Sequence, residues 1–283
     1  MRYKKVYGLI GWPVKHSLSP LMHNSAFRYL KMDACYKLFP LKEDELEDFL
    51  RNLSKNNIFG LNVTIPYKEK VIKYLDWKSA SVRFTGAANT IVVGEENYLK
   101  GFNTDGLGFM RHLVYDLKFK LQGKNVFILG AGGAAKAITY QLIRGKVRSI
   151  ALYDIDREKA KDLKERLNQQ DKACVIRVVS SLEEVDFKNI DLLINATPCG
   201  MRKTDPCPVK KDMLHKDMFV YDLIYNPIQT KLLKLAQGLG ARTSNGLGML
   251  LYQGVLSFKH FTGKYAPLHI MERALKEAVE RLC

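Results

Sequence analysis

The run Gly130-Ala131-Gly132-Gly133-Ala134-Ala135 constrains this chain more than any other stretch. It follows a short apolar run, Val126 to Leu129, and leads straight into helical periodicity. Small residues therefore sit where a strand must turn sharply into a helix. The spacing is Gly-x-Gly-x-x-Ala. The first glycine permits the tight turn, Gly132 lets a diphosphate approach the backbone, and Ala135 lets the helix pack close on the sheet. The helix N-terminus then favours the anion. An ordinary strand-to-helix turn also needs glycine, but in this setting the run points to a dinucleotide. A carboxylate is expected at the end of the next strand, to accept from the adenosine ribose, and Asp154 stands there. Its alternative role is N-cap of the following helix, one that Asp156 can fill instead.

Around that turn, β-rich runs alternate with helical periodicity from end to end, the pattern of an α/β fold. Ahead of it, Val6 to Ile10, Cys35 to Phe39 and Phe59 to Ile65 read as strands. Helices are expected over about Pro20 to Tyr29 and Asp44 to Ser54. Thr90 to Val93 and Tyr98 to Phe102 read as a hairpin across Gly94-Glu95-Glu96-Asn97, and a helix starts near Asp105. A second block follows Leu121-Gln122-Gly123-Lys124, with strands at Val126 to Leu129, Ser149 to Tyr153, Cys174 to Val179, Asp191 to Asn195 and Met218 to Asp222. They are apolar on both faces, as a parallel sheet covered by helices requires. Two helices close the chain, Leu247 to Phe261 and Leu268 to Leu282. The last carries Met271, Ala274, Leu275, Ala278 and Leu282 as one apolar stripe, which reads as core packing.

A length of 283 residues suits two domains. We expect an N-terminal α/β substrate-binding domain over 1–104, to which 247–283 returns, and a doubly wound, Rossmann-type dinucleotide-binding domain over 105–246. No apolar run of 18 or more residues occurs, so no transmembrane helix is expected. The basic start Met1 to Gly8 has no apolar h-region behind it, because Trp12-Pro13-Val14-Lys15-His16 interrupts. A cytoplasmic protein is expected. Cys35, Cys174, Cys199, Cys207 and Cys283 are scattered and odd in number, which supports neither a zinc site nor a disulfide framework; no metal is expected.

Lys and Arg number 45 against 29 Asp and Glu, a net charge of +16. Such a balance suggests nucleic acid, anionic lipid or a small acidic substrate. The basic residues are spread through every segment, often interleaved with acids as in Asp156-Arg157-Glu158-Lys159, so the charge fits solvated helix faces and anionic small molecules better than nucleic acid or membrane.

The first block holds a second constellation. Ser17-Leu18-Ser19-Pro20 places two hydroxyls two residues apart, with Pro20 suited to the first helical position. Ser19 reads as an N-cap, and Ser17 with Ser19 as a carboxylate-binding pair at a helix N-terminus; the two roles are compatible. In Asn62-Val63-Thr64-Ile65-Pro66-Tyr67-Lys68, strand alternation puts Asn62 and Thr64 on one side, pointing into one cleft from a strand end. Gly86-Ala87-Ala88-Asn89-Thr90 and Gly101-Phe102-Asn103-Thr104-Asp105-Gly106 bring further polar residues to strand ends. Gln253 lies on the helical face of Met249 and Leu256, where it needs a buried partner or a ligand.

These motifs resemble the shikimate dehydrogenase family in kind and in order. The resemblance rests on Ser17 to Pro20, Asn62 to Lys68, Gly86 to Thr90, Asn103 to Asp105, the glycine-rich turn, Asn195-Ala196-Thr197-Pro198 and Gly246-Leu247-Gly248-Met249-Leu250. It implies a catalytic pair, Lys68 and Asp105. It implies that Ser17, Ser19, Thr64, Asn89 and Gln253 bind a polyol acid, with Asn62 and Tyr225 close by. The cofactor would be held by Gly130, Ala131, Gly132, Gly133, Ala134, Ala135 and by Asn195 to Thr197, with Gly246 near the nicotinamide. The implied activity interconverts shikimate and 3-dehydroshikimate, by a monomer or homodimer.

Three rivals stand beside it. A quinate or dual quinate/shikimate enzyme differs by one ring hydroxyl, and relatives specialised for quinate often carry threonine at the position of Ser19. A non-catalytic NAD(P)-binding regulator has the same fold but no need of a Lys–Asp pair. A nucleic-acid-binding protein rests on net charge alone. On the cofactor, many relatives carry Asn-Arg-Thr where this chain has Asp154-Ile155-Asp156, so the arginine that faces the NADP 2′-phosphate is missing. NAD is the expected preference, with NADP possible because Arg157 and Lys159 lie close by.

Overall fold

The computed structural model describes residues 4–169 and 173–280. Leu282, the last member of the apolar stripe, and Cys283 lie outside the described residues, as does Met1 to Tyr3 of the basic start. In chain order the strands are β1 (Lys5–Gly11), β2 (Ala34–Pro40), β3 (Ile58–Val63), β4 (Trp77–Lys78), β5 (Thr90–Val93), β6 (Leu99–Phe102), β7 (Asn125–Leu129), β8 (Ser149–Tyr153), β9 (Val175–Val178), β10 (Leu192–Asn195), β11 (Phe219–Asp222) and β12 (Arg242–Ser244). The α-helices are α1 (Ser19–Tyr29), α2 (Leu46–Arg51), α3 (Ala80–Thr85), α4 (Asp105–Met110), α5 (Gly133–Arg144), α6 (Arg157–Asn168), α7 (Lys231–Gly238), α8 (Leu247–Thr262) and α9 (Leu268–Glu280). The chain divides into two compact units: the residues up to Gly108 together with those from Leu250 onward, and Phe109–Met249.

The first unit is built on a six-stranded mixed sheet in the order β2-β1-β3-β5-β6-β4. β1 pairs in parallel with β2 and β3, while β5 runs antiparallel to both β3 and β6. Period-two alternation sends Ile10 to one face, into a core with Leu46, Leu50, Leu61 and Ile91. It sends Tyr7 to the other, where the ring lies 5.3 Å from both Phe27 of α1 and Phe261 of α8. The returning C-terminal helices complete that second face, with α9 packed along α1.

The second unit is a fully parallel six-stranded sheet in the order β12-β11-β10-β7-β8-β9. Counted from β7, this is the doubly wound order, with its switch point between β7 and β10, outside whose carboxyl ends ligands bind in such sheets. The central strands β7 and β10 are buried almost throughout, as both faces carry cover.

Three expectations are corrected. The helix expected over Asp44 to Ser54 is broken into single turns around α2, because Asn52 Nδ2 takes the Asp48 carbonyl at 2.8 Å and competes with the helical ladder. β3 stops at Val63 rather than Ile65: Tyr67 N–H closes a turn on Thr64 O at 2.9 Å, and Pro66 has no N–H to pair. At the start of α1, Leu18 holds the capping position and makes no side-chain cap; Ser19 is the first helical residue, and its N–H donates to Ser17 Oγ at 3.3 Å.

One buried group has a consequence for acid stability. His23 on α1 is fully buried and stacked flat on Tyr36 at 4.4 Å, and neither ring nitrogen has a hydrogen-bond partner among the described residues. Burial pushes its pKa down to about 3. The unfolded chain binds this proton below its ordinary 6.5 and the fold does not, so stability is full above that value and lost as pH falls towards about 3. The slope is about 1.4 kcal/mol per pH unit for one proton. Denaturant unfolding between pH 7 and 4 should show this loss, and His23→Leu should flatten it.

Candidate active site

Both sequence constellations lie at strand ends, one in each unit. In the first unit Lys68, in the turn after β3, places Nζ 2.6 Å from Asp105 Oδ2 at the first position of α4. Their side chains are 17% and 6% exposed, so the pair is shielded but open on the lysine side. Asn89, just before β5, donates from Nδ2 to Asp105 Oδ1 at 2.8 Å. Its amide also approaches Gln253 Oε1 of α8 at 3.3 Å. Gln253 is itself held by Leu250 O, to which its Nε2 donates at 2.8 Å. The structure thus brings four expected residues, Lys68, Asp105, Asn89 and Gln253, into one continuous cluster.

The remaining expected substrate residues are placed otherwise. Ser17 and Ser19 stand together at the start of α1, Ser19 buried and Ser17 half-buried. Thr64 is half-buried just beyond the end of β3. Asn62, 5% exposed, has its side chain engaged within the unit: Oδ1 accepts from Tyr36 OH at 2.8 Å, and Nδ2 faces Asn89 O at 3.1 Å and Ser257 Oγ at 2.9 Å. Tyr225 belongs to the loop after β11, in the second unit. Thr90 and Thr104, from the motifs quoted at strand ends, also join this cluster, as do Tyr36 and Ser257, which sequence reasoning did not single out. Ser257 had a signal, since it lies one helical turn beyond Gln253 on the same face.

In the second unit, Gly130 adopts φ +99°, which side chains rarely do, and a Cβ there would sit 3.0 Å from Ala196 O. Gly132 differs. Its φ is −73° and a Cβ would meet nothing within 4 Å, so no protein atom requires glycine there. The open surface suits close approach by a ligand to the first turn of α5, whose leading N–H groups lack helical partners. Ala131 and Ala135 are buried, as the packing of that turn demands.

Asp154 Oδ2 accepts from Ala131 N–H at 2.7 Å, and Oδ1 from Asp156 N–H at 2.8 Å. The carboxylate thereby ties the end of β8 to the glycine turn and keeps acceptor capacity for hydroxyls. Asp156 holds the N-cap position of α6 but makes no side-chain cap; it pairs with Lys159 at 3.3 Å.

Asn195 is fully buried. Its Oδ1 accepts from Thr197 Oγ1 at 2.7 Å and its Nδ2 donates to Asp222 Oδ1 at 3.0 Å, so its side chain shapes the loop that presents Thr197. Gly246 passes against backbone, since a Cβ there would run into the Leu223 carbonyl. Among the described residues no cluster of His, Cys, Asp and Glu is suited to a metal ion, and no helix is long and apolar enough to cross a membrane.

The fold and these clusters define a dinucleotide-binding α/β protein that also carries a shielded lysine–aspartate pair. The chain matches the family models for the shikimate dehydrogenase substrate binding domain over residues 9–91, shikimate / quinate 5-dehydrogenase over 113–223, and the shikimate 5′-dehydrogenase C-terminal domain over 246–276. It is 44% identical over 264 residues to shikimate dehydrogenase (NADP(+)) of Caldanaerobacter subterraneus subsp. tengcongensis, covering 92% of both chains. A shikimate dehydrogenase solved with NADP+ superposes with a TM-score of 0.89 at 37% identity, over 98% of this chain and 96% of that one. The Listeria monocytogenes shikimate 5-dehydrogenase, solved with shikimate and NAD, gives 0.86 at 34% identity, over 97% of each. This chain belongs to the shikimate dehydrogenase family.

Asp222 gives the site a second pH signature. Burial pushes its carboxyl up to about 6, against the hydrogen bonds from Thr230, Ile224 N–H and Asn195. The fold holds this proton more tightly than the unfolded chain, so stability is lost as pH rises from 3.8 to about 6. Asp222→Asn keeps an acceptor and removes the buried charge. It should gain about 1–3 kcal/mol over the parent at pH 8 and little at pH 4, read by denaturant unfolding.

Proposed function

We propose that this chain catalyses the reversible, nicotinamide-dependent reduction of 3-dehydroshikimate to shikimate, a step of aromatic amino acid (chorismate) biosynthesis. The observation that carries the proposal is the 2.6 Å contact of Lys68 with Asp105, set beside Asn89 and Gln253 in a chain with curated relatives, 37–44% identical, that are named shikimate dehydrogenases. A bound nicotinamide supplies the hydride in reduction and accepts it in oxidation.

The protein manages the proton and the orientation. An ammonium has three donors, and Asp105 occupies one of those of Lys68. Another donates to the substrate carbonyl oxygen and polarises it; as the oxygen gains charge, the proton passes to it from Nζ. In oxidation the neutral amine takes the proton back. Asp105 accepts from both Lys68 and Asn89, so its part is to aim the lysine.

Ser17 and Ser19 bind the substrate carboxylate at the start of α1. Thr64, Asn89 and Gln253 address the ring hydroxyls. Ser19, rather than threonine, supports shikimate over quinate. Lys68→Ala should lower kcat by roughly 10²–10⁴-fold while leaving cofactor binding intact. Near-normal turnover in a folded variant would remove the assignment.

We further propose NAD as the preferred cofactor. Ile155, at the position of the family arginine, is 95% exposed and offers no charge, while Asp154 presents a carboxylate that suits free ribose hydroxyls and repels a 2′-phosphate. The nearby Lys159 is paired with Asp156. The Listeria relative solved with NAD supports use of that cofactor within the family. The ratio of kcat/KM for NAD to that for NADP should exceed one, and Asp154→Asn with Ile155→Arg should move it towards NADP by removing a repulsion and adding an attraction. A parent enzyme that favours NADP would overturn this reading and leave the activity standing.

A further inference from the structure

Beneath the lysine–aspartate pair lies a buried group of hydroxyls to which no role has been given. Thr90 and Ser257 are both fully buried, on β5 and α8, and neither side chain reaches the surface. Their oxygens are 2.8 Å apart, and Ser257 Oγ is 3.2 Å from Thr104 Oγ1. Hydroxyls are costly to bury without partners; those of Thr90 and Thr104 meet the Asn89 amide that holds Asp105, and Ser257 meets Thr90 and Thr104.

The orientation of that amide follows from its surroundings. Asn89 Oδ1 lies 2.8 Å from the Thr104 backbone N–H, which can only donate. The oxygen must therefore face Thr104 N, and Nδ2 must face Asp105 Oδ1 at 2.8 Å. Thr90 Oγ1 reaches Asn89 Oδ1 at 2.9 Å as a second donor. Asn62 is fixed in the same way, because the Asn89 carbonyl 3.1 Å from its Nδ2 can only accept. With one Nδ2 hydrogen on the Asn89 carbonyl, the other is shared between Ser257 Oγ at 2.9 Å and Thr90 Oγ1 at 3.2 Å, which leaves the Thr90 hydrogen free to point at Asn89. Donors run in one direction, from Tyr36 through Asn62 and Thr90 to Asn89, and end on Asp105. With the amide reversed, two acceptors would face each other at the Asp105 oxygen, and the carboxylate would lose its register with Lys68.

We propose that Thr90 and Ser257 are positioning residues that lock the Asn89 amide in the orientation Asp105 requires. The inference rests on the activity proposed above, in which Asp105 aims Lys68. Thr90→Val keeps the β-branched shape and removes the donor. Ser257 Oγ donates to Gln253 O at 2.9 Å and accepts from Asn62 Nδ2, so Ser257→Ala removes an acceptor that holds the Asn62 amide facing Thr90.

The test measures kcat, both KM values and the pH profile of kcat with shikimate, well below the melting temperature. Thr90→Val should lower kcat about 5- to 10-fold, the scale of one net hydrogen bond. The cofactor KM should stay unchanged, the pH limb that reports the acid–base pair should be displaced, and Thr90→Ser should return within about twofold of the parent. Ser257→Ala should act in the same sense by about 2- to 5-fold, and it carries the comparison alone should Thr90→Val not fold. Folded variants with parental kcat and pH profile, or a Thr90→Ser no better than Thr90→Val, would overturn the inference. A parent without shikimate turnover on either cofactor would instead overturn the activity itself.

Discussion

Asp105 is 4% exposed, and a carboxylate so placed has to be met by donors. That requirement organises the first unit. Lys68 meets one oxygen and Asn89 the other, which fixes where the turn after β3 and the segment before β5 must come. Asn89 in turn needs donors to its own oxygen, supplied by Thr104 N–H and Thr90. Ser257 brings α8 into the same set, so the C-terminal return is tied to the site by hydrogen bonds as well as by the aromatic contacts of Phe258 and Phe261. The apolar core positions the strands; the buried carboxylate decides how their ends are furnished.

The second unit answers a different demand. A ligand that approaches backbone closely needs a turn with no side chain in the way and a surface that is not filled from within. Gly130 satisfies the first through its conformation, Gly132 the second through the open space above it. Asp154 then links the turn to β8, so the residue proposed to address the ribose also stiffens the backbone of the glycine turn. The same carboxylate is structural and available, because two donors do not exhaust its acceptor sites.

Most of the architecture was legible in the sequence because it follows from periodicity and turn chemistry. The parallel sheet showed as short runs apolar on both faces, and the glycine turn showed as a spacing. The boundaries that shifted did so where a local side chain competes with the backbone, as Asn52 does at Asp48 O, or where proline withholds an N–H, as at Pro66. Lys68, Asp105, Asn89 and Gln253 were legible through motif and helical face. Tyr36 was not, because a lone tyrosine in a strand carries no pattern until the fold brings its partners near, and Ser257 carried only its place one helical turn beyond Gln253. Asn62 shows the converse: its motif marks it as a ligand, while its amide is engaged by Tyr36, Ser257 and Asn89 within the unit.

The two units solve one problem in the same way. Asn62 stands opposite Thr90 across β3 and β5, and Asn195 opposite Asp222 across β10 and β11. In each pair the asparagine amide donates to its cross-strand neighbour, at 3.2 Å and 3.0 Å. A strand end is where the ladder stops and backbone groups of the departing loop begin to need partners. An asparagine there can satisfy donor and acceptor at once, and a polar cross-strand neighbour keeps it from turning. The loops that leave these positions carry Lys68 and Thr197, residues expected to meet substrate and cofactor. The buried amides fix the departure angle of those loops, and Lys68 and Thr197 inherit their placement from it.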